Sequence, residues 1–224
     1  MGDWRQIGPT GSRAYLAVPD SGNGPGVLVL HAWWGLTSVF TDVCDRLAAE
    51  GFVALAPDLY ADEAMTDSID EAEKLVAKHQ SESEEAKAVI QAAVDQLRQS
   101  PAVTGAQIGA IGYSLGAYWA SHFSQERPDD ISAVVAFYGT GDGDFGTARA
   151  AYLGHFAEND DFEPLDTVQA FESAIRNAGR DVTFHTYPGT GHWFAEPNRP
   201  DAYDAAAAVL AWERTIAFLK THLA

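Results

Sequence analysis

Gln107-Ile108-Gly109-Ala110-Ile111-Gly112-Tyr113-Ser114-Leu115-Gly116-Ala117-Tyr118-Trp119-Ala120 is the stretch on which the reading of this chain turns. The apolar run Gln107–Ile111 reads as a short buried strand, and Ala117–Phe123 reads as the start of a helix. A strand that enters a helix through G-x-S-x-G makes a sharp turn and lifts the serine hydroxyl clear of the sheet. Glycines flank such a serine because the backbone is strained there and strand and helix crowd it. A nucleophile elbow at Ser114 is therefore the expectation, and the rest of the chain has to supply its partners.

Outward from the elbow, strand and helix patterns alternate. On the N-terminal side, Arg13–Val18 alternates as an early strand, and Val27–Leu30 is a continuous apolar run suited to a strand covered on both faces. Val39, Val43, Leu47 and Ala48 recur at helical spacing over Ser38–Glu50, and Gly51 stops the pattern. Phe52–Ala56 is a further strand, followed by helices over Ser68–Gln80 and Glu82–Gln99. On the C-terminal side come strands Ala133–Tyr138, Ala151–Phe156 and Val182–Tyr187, a helix over Leu165–Ala178, and a final helix from about Ala202 to His222. The glycine-rich Gly139–Gly146 lacks the spaced ligands of a calcium loop and reads as a turn. Such alternation is the signature of a mostly parallel sheet with helices on both faces. No internal repeat or linker interrupts it, so a single domain over residues 1–224 without a separate lid is expected.

Composition narrows the function. The chain has 224 residues, enough for one sizeable core. Fourteen Lys and Arg against 32 Asp and Glu give a formal charge of −18, which argues against nucleic acid as a partner. The acidity reads as an ordinary solvated surface. No apolar run is long enough to span a membrane, and Met1–Gln6 has no signal-peptide pattern. One cysteine, Cys44, excludes an internal disulfide and suits a reducing compartment. A cytoplasmic location is expected. Cys44 itself reads as a small buried hydrophobe on a helix.

A serine hydroxyl needs a base within hydrogen-bond reach, and the base needs a third group to orient it. In the strand–elbow–helix architecture these follow in the order Ser, Asp or Glu, His. Of the seven histidines, His192 stands after the last strand in Tyr187-Pro188-Gly189-Thr190-Gly191-His192-Trp193-Phe194, a Gly- and Pro-rich setting that reads as a loop. His31 ends the Val27–Leu30 strand but precedes the serine. The others fall in helices (His79, His122, His222) or strands (His155, His185). For the acid, Ala157-Glu158-Asn159-Asp160-Asp161-Phe162-Glu163-Pro164 offers four carboxylates, and spacing alone does not separate Asp160 from Asp161. No histidine or cysteine pattern accompanies them, so no metal is expected, and a serine triad needs no cofactor. An oxyanion hole takes the amide after the nucleophile, that of Leu115, and one from the His31-Ala32-Trp33-Trp34-Gly35 segment.

These residues together resemble the dienelactone hydrolases of the α/β-hydrolase superfamily. The resemblance runs from about residue 12 to 222. It rests on H-A-W-W-G-L at His31–Leu36, A-P-D-L-Y at Ala56–Tyr60, G-Y-S-L-G-A at Gly112–Ala117 and A-E-N-D-D-F-E-P at Ala157–Pro164. Y-P-G-T-G-H-W-F-A-E-P-N-R-P at Tyr187–Pro200 and A-W-E-R-T-I-A-F-L at Ala211–Leu219 complete it. It implies a three-layer α/β-hydrolase fold, selects Asp160 as the acid, and implies the amides of Trp33 and Leu115 as the oxyanion donors. Three departures stand out. The namesakes carry cysteine where this chain has Ser114, and a glutamate where it has Ala32. They also hold a substrate carboxylate with arginines, one of them four residues after the histidine, where Glu196 stands here. No arginine occurs between Arg46 and Arg98. A carboxylate there repels an anionic substrate, so an uncharged ester or lactone is expected, in an apolar pocket lined by Trp33, Trp34, Tyr60 and Trp193. An acyltransferase, peptidase or perhydrolase would use the same triad, and a binding protein without turnover would share the fold. A monomer or small homo-oligomer is expected.

Overall fold

A computed structural model describes residues 1–9, 11–60, 64–81 and 83–223. Glu82, expected to open a helix, lies outside the described residues. The elements in chain order are β1 (Asp3–Ile7), β2 (Ser12–Ala17), β3 (Gly24–Leu30), α1 (Ser38–Ala49), β4 (Val53–Pro57), α2 (Ile69–Ser81) and α3 (Ser83–Gln99). They continue with β5 (Val103–Tyr113), α4 (Leu115–Glu126), β6 (Ile131–Phe137), β7 (Ala151–Asn159), α5 (Leu165–Asn177), β8 (Val182–Gly191) and α6 (Ala205–His222). The eight strands are ordered β1-β2-β4-β3-β5-β6-β7-β8. The chain forms two compact units, Met1–Ile108 and Gly109–Ala224, and β5 runs from the first into the second.

In the first unit β3 and β4 pair in parallel, while β2 pairs antiparallel with both β1 and β4. Val27, Leu28, Val29 and Leu30 on β3 and Val53, Ala54, Leu55 and Ala56 on β4 are wholly buried, as continuous apolar runs require. Helix α1 is built from poor helix formers (Val, Phe, Thr, Cys) and has no side-chain cap, so propensity does not hold it. Burial of Val39, Phe40, Val43, Cys44 and Leu47 does, with each larger apolar side chain contributing roughly 1.5–3 kcal/mol. Strand β1 left no mark in the sequence reading. Only Ile7 of its five residues is buried, so its apolar pattern is silent, and pairing with β2 alone defines it.

In the second unit β6, β7 and β8 are parallel neighbours. Several expected boundaries move. Strand β6 stops at Phe137 because Tyr138 turns into left-handed backbone at φ 35°. Strand β8 continues through the Gly- and Pro-rich segment to Gly191, where a loop was expected after Tyr187. As the last strand of the sheet β8 has a free side, and Pro188 is tolerated on an edge where no ladder N–H is needed. The final helix starts three residues later than its pattern suggested, at Ala205, and the carboxylate of its N-cap Asp204 accepts the Ala207 N–H at 2.9 Å.

His155 on β7 is fully buried at the centre of this unit. Its Nδ1 is bonded to the Tyr187 hydroxyl (2.8 Å) and its Nε2 to the Thr215 hydroxyl (3.0 Å), tying β7 to β8 and α6. Burial, with help from neighbouring His185 and Arg214, holds its pKa well below the ordinary 6.5. The unfolded chain thus takes up a proton near pH 6.5 that the native state refuses, and stability must fall as pH drops below that value. Melting temperature measured from pH 7.5 to 5 is expected to decline more steeply for the wild type than for His155→Gln. Parallel curves would show that His155 is not the source.

Candidate active site

The three residues picked from the sequence each lie one position beyond the end of a strand. Ser114 follows β5, Asp160 follows β7, and His192 follows β8. Because β7 and β8 are parallel with Asn159 paired to Gly191, the next residues of the two strands, Asp160 and His192, emerge side by side. His192 Nδ1 lies 2.9 and 2.8 Å from the two Asp160 oxygens, and His192 Nε2 lies 3.0 Å from Ser114 Oγ. A carboxylate only accepts, so these partners assign the proton to Nδ1 and leave the Nε2 lone pair facing the serine hydroxyl. The Asp160 and His192 side chains are 2% and 5% exposed, which keeps water from competing for the pair. Asp160 Oδ1 also accepts the backbone N–H groups of Phe162 (2.9 Å) and Glu163 (3.0 Å), so its rotamer is held from two sides. Asp161 takes no part in this chain of contacts and points from an exposed position.

Ser114 adopts φ 51° and ψ −114°, a conformation that costs a non-glycine residue about 1–3 kcal/mol. Its N–H is bonded to Phe137 O (2.9 Å) and its carbonyl accepts the Ala117 N–H (2.8 Å), anchoring the turn to β6 and to the first turn of α4. Leu115 opens α4, where an N–H has no partner within the helix.

Around His192 the structure adds aromatic residues. Trp193, at φ 65°, is 6% exposed and its ring lies 5.0 Å from that of His192. Phe162, 52% exposed, lies 5.0 Å from His192 and 5.1 Å from Trp193. The Arg199 guanidinium sits 5.0 Å from the Trp193 ring and reaches Asp201. Tyr138 is wholly buried, packs its ring 5.0 Å from His192, and donates its hydroxyl to Glu196 at 2.9 Å. Burial and the Glu196 charge push the Tyr138 pKa well above the ordinary 10, so the phenol keeps its proton. Glu196, raised from the sequence as a charge near the site, is itself fully buried behind this tyrosine. Sequence reading missed Tyr138 because nothing in Phe137-Tyr138-Gly139 distinguishes a strand end from a left-handed turn.

The residues expected from the first unit are described there by themselves. His31 is fully buried; its Nδ1 lies 2.7 Å from Ala32 O and its Nε2 accepts the Leu59 N–H at 3.0 Å. Those partners assign a neutral ring that pins the Ala32–Gly35 turn to the end of β4. The Tyr60 hydroxyl donates to Trp33 O (2.7 Å), and Thr66 N–H donates to Trp34 O (3.0 Å). Trp33 is half-buried, whereas Trp34 is wholly buried and packs edge-on against it. Among the described residues no group of three or more His, Cys, Asp or Glu side chains could hold a metal ion, and no helix is long and apolar enough to cross a membrane.

Residues 12–223 match the model of the dienelactone hydrolase family. This chain belongs to the dienelactone hydrolase family. Among its relatives it is 35% identical over 218 residues to the protein usf of Aquifex pyrophilus, covering 94% of each chain. It is 34% identical over 218 residues, again covering 94% of each, to a candidate carboxymethylenebutenolidase of Aquifex aeolicus (strain VF5). A solved structure of a candidate dienelactone hydrolase from Klebsiella pneumoniae superposes with a TM-score of 0.86 at 24% identity, covering 99% of both chains. The fold is thus that of the α/β hydrolases, an eight-stranded, mostly parallel sheet with flanking helices.

Proposed function

We propose that this family member cleaves small, uncharged carboxylic esters or lactones through an acyl-enzyme on Ser114. The observation that carries the reading is the chain of contacts Asp160–His192–Ser114, with both hydrogen bonds at 2.8–3.0 Å. Ser114 Oγ attacks the carbonyl carbon while His192 Nε2 takes the hydroxyl proton. Asp160 holds the tautomer and stabilises the imidazolium that forms. The tetrahedral oxyanion is received by the amides of Leu115 and Trp33. His192 then protonates the leaving alkoxide, and the C–O bond breaks. Water, deprotonated by His192, attacks the acyl-enzyme and returns Ser114 to its hydroxyl form. No cofactor takes part.

The aromatic surroundings support an uncharged substrate. Trp193, 5.0 Å from the His192 ring, would line the pocket, and the residues expected from the first unit, Trp33, Trp34 and Tyr60, are likewise aromatic. A lactone is favoured among esters by the name of the Aquifex aeolicus relative, a candidate carboxymethylenebutenolidase. The Glu196 carboxylate at the position from which the namesakes direct an arginine disfavours an anionic acyl or alcohol group.

A matched pair of substrates tests the charge preference. The expected kcat/KM for p-nitrophenyl butyrate exceeds that for the similarly sized p-nitrophenyl hemisuccinate by about 10-fold or more, a difference of ~1.4 kcal/mol. Equal rates, or a preference for the anion, would remove the uncharged-substrate reading while leaving the triad standing.

A further inference from the structure

The acid loop and the nucleophile elbow are joined by a second connection besides His192. Glu163, half-buried three residues beyond Asp160, receives both donors of Thr140. The Thr140 N–H lies 3.2 Å from Glu163 Oε1 and the Thr140 hydroxyl lies 2.9 Å from Oε2. At its other end Glu163 gives its own N–H to Asp160 Oδ1 at 3.0 Å. Thr140 is covalently next to Gly139, which lies against the elbow so closely that a Cβ there would meet Ser114 O at 2.4 Å. Contacts therefore close a ring: Ser114, Gly139, Thr140, Glu163, Asp160, His192 and back to Ser114.

From this geometry we infer that Thr140 and Glu163 form a clasp that positions Asp160, and through it His192, against Ser114. The inference rests on the triad reading. Asp160 sits in the segment between β7 and α5, Asp160–Pro164, with no regular ladder to hold it. The two-pronged bond to Thr140 fixes that segment to the turn after β6, which itself abuts the elbow. Both acceptor oxygens and both donors are satisfied within the pair, so the link resists rotation as a single hydrogen bond would not. Neither residue touches the reacting atoms; they are positioning residues.

The clasp makes a distinctive demand on kinetics. Removing it lets Asp160 drift, and a displacement of about 1 Å at a catalytic group costs on the order of 10²-fold. Glu163→Ala is therefore expected to lower kcat for p-nitrophenyl butyrate about 10- to 100-fold with KM within two-fold. Thr140→Val, which keeps the backbone donor and loses the hydroxyl, is expected to give an intermediate loss. Thr140→Ser keeps both bonds, Glu163→Gln keeps both once the Thr140 hydroxyl rotates to accept from the new amide NH2, and each should retain at least half of the wild-type kcat. Because Glu163 acts through Asp160, its removal should have no further effect in an Asp160→Asn background, where the acid is already lost.

Melting curves on every variant separate this from unfolding, and Thr140→Val carries the test should Glu163→Ala fail to fold. A wild-type kcat in both Glu163→Ala and Thr140→Val, or a full additional loss from Glu163→Ala in the Asp160→Asn background, overturns the clasp. The triad reading then survives provided Asp160→Asn alone is costly. If Asp160→Asn has no effect, the triad and the clasp fall together.

Discussion

Ser114→Ala is expected to lower kcat for a p-nitrophenyl ester by about 10⁴-fold or more and to abolish labelling by a fluorophosphonate probe. The size follows from what the serine does. On the proposed mechanism His192 and Asp160 act on the Ser114 hydroxyl, and without it the amide donors and binding contacts remain to favour the transition state. Alanine keeps the Cβ, so the left-handed backbone at φ 51° is neither relieved nor worsened, and the melting temperature should barely change. Ester hydrolysis that persists unchanged in a folded Ser114→Ala protein would remove the acyl-enzyme mechanism.

The second large effect needs no change to a reacting group. At Gly112 a Cβ would lie 2.1 Å from Gly116 O, 2.3 Å from Gly116 C and 2.4 Å from Ala117 N. These are backbone atoms in the first turn of α4, not the end of a side chain that could swing aside. Gly112→Ala must therefore push the end of β5 away from α4, and Ser114 lies on the turn between them. The stability cost is expected to reach or exceed ~3 kcal/mol, the upper part of the ordinary range for overpacking. Displacing the Ser114 hydroxyl by about 1 Å should add a loss of ~10²-fold or more in kcat. Urea denaturation and fluorophosphonate labelling measure the two effects separately. A variant with the wild-type midpoint and labelling rate would mean that strand and helix have more room than the structure gives them.

Much of the architecture was legible because burial writes itself into the chain. Val27–Leu30, Phe52–Ala56 and Ala133–Phe137 are covered on both faces, so each reads as an unbroken apolar run. Where burial is slight the reading failed. Strand β1 exposes four of its five residues, and the tail of β8 is Gly and Pro on a sheet edge, so neither carries a hydrophobic period. The proposed triad was legible for a different reason. Its three members follow strand ends in a fixed order, and the resemblance to the dienelactone hydrolases chose Asp160 where spacing could not separate it from Asp161. In the structure, parallel pairing of Asn159 with Gly191 places Asp160 beside His192, with His192 Nδ1 2.8 Å from Asp160 Oδ2.

Other contacts belong to the tertiary structure alone. Thr140 and Glu163 are 23 residues apart, and Tyr138 and Glu196 are 58 apart. No local propensity connects such pairs. They meet because β6, β7 and β8 run in parallel and deliver their C-terminal loops to the same end of the unit. The sequence by itself determined the family, the strand–elbow–helix frame and the order in which Ser114, Asp160 and His192 follow their strands, because backbone chemistry and burial leave a local imprint. Only the folded chain decided how the acid is held and which side chains brace the histidine. Those depend on the register between strands distant in sequence, which is set by packing across the whole unit.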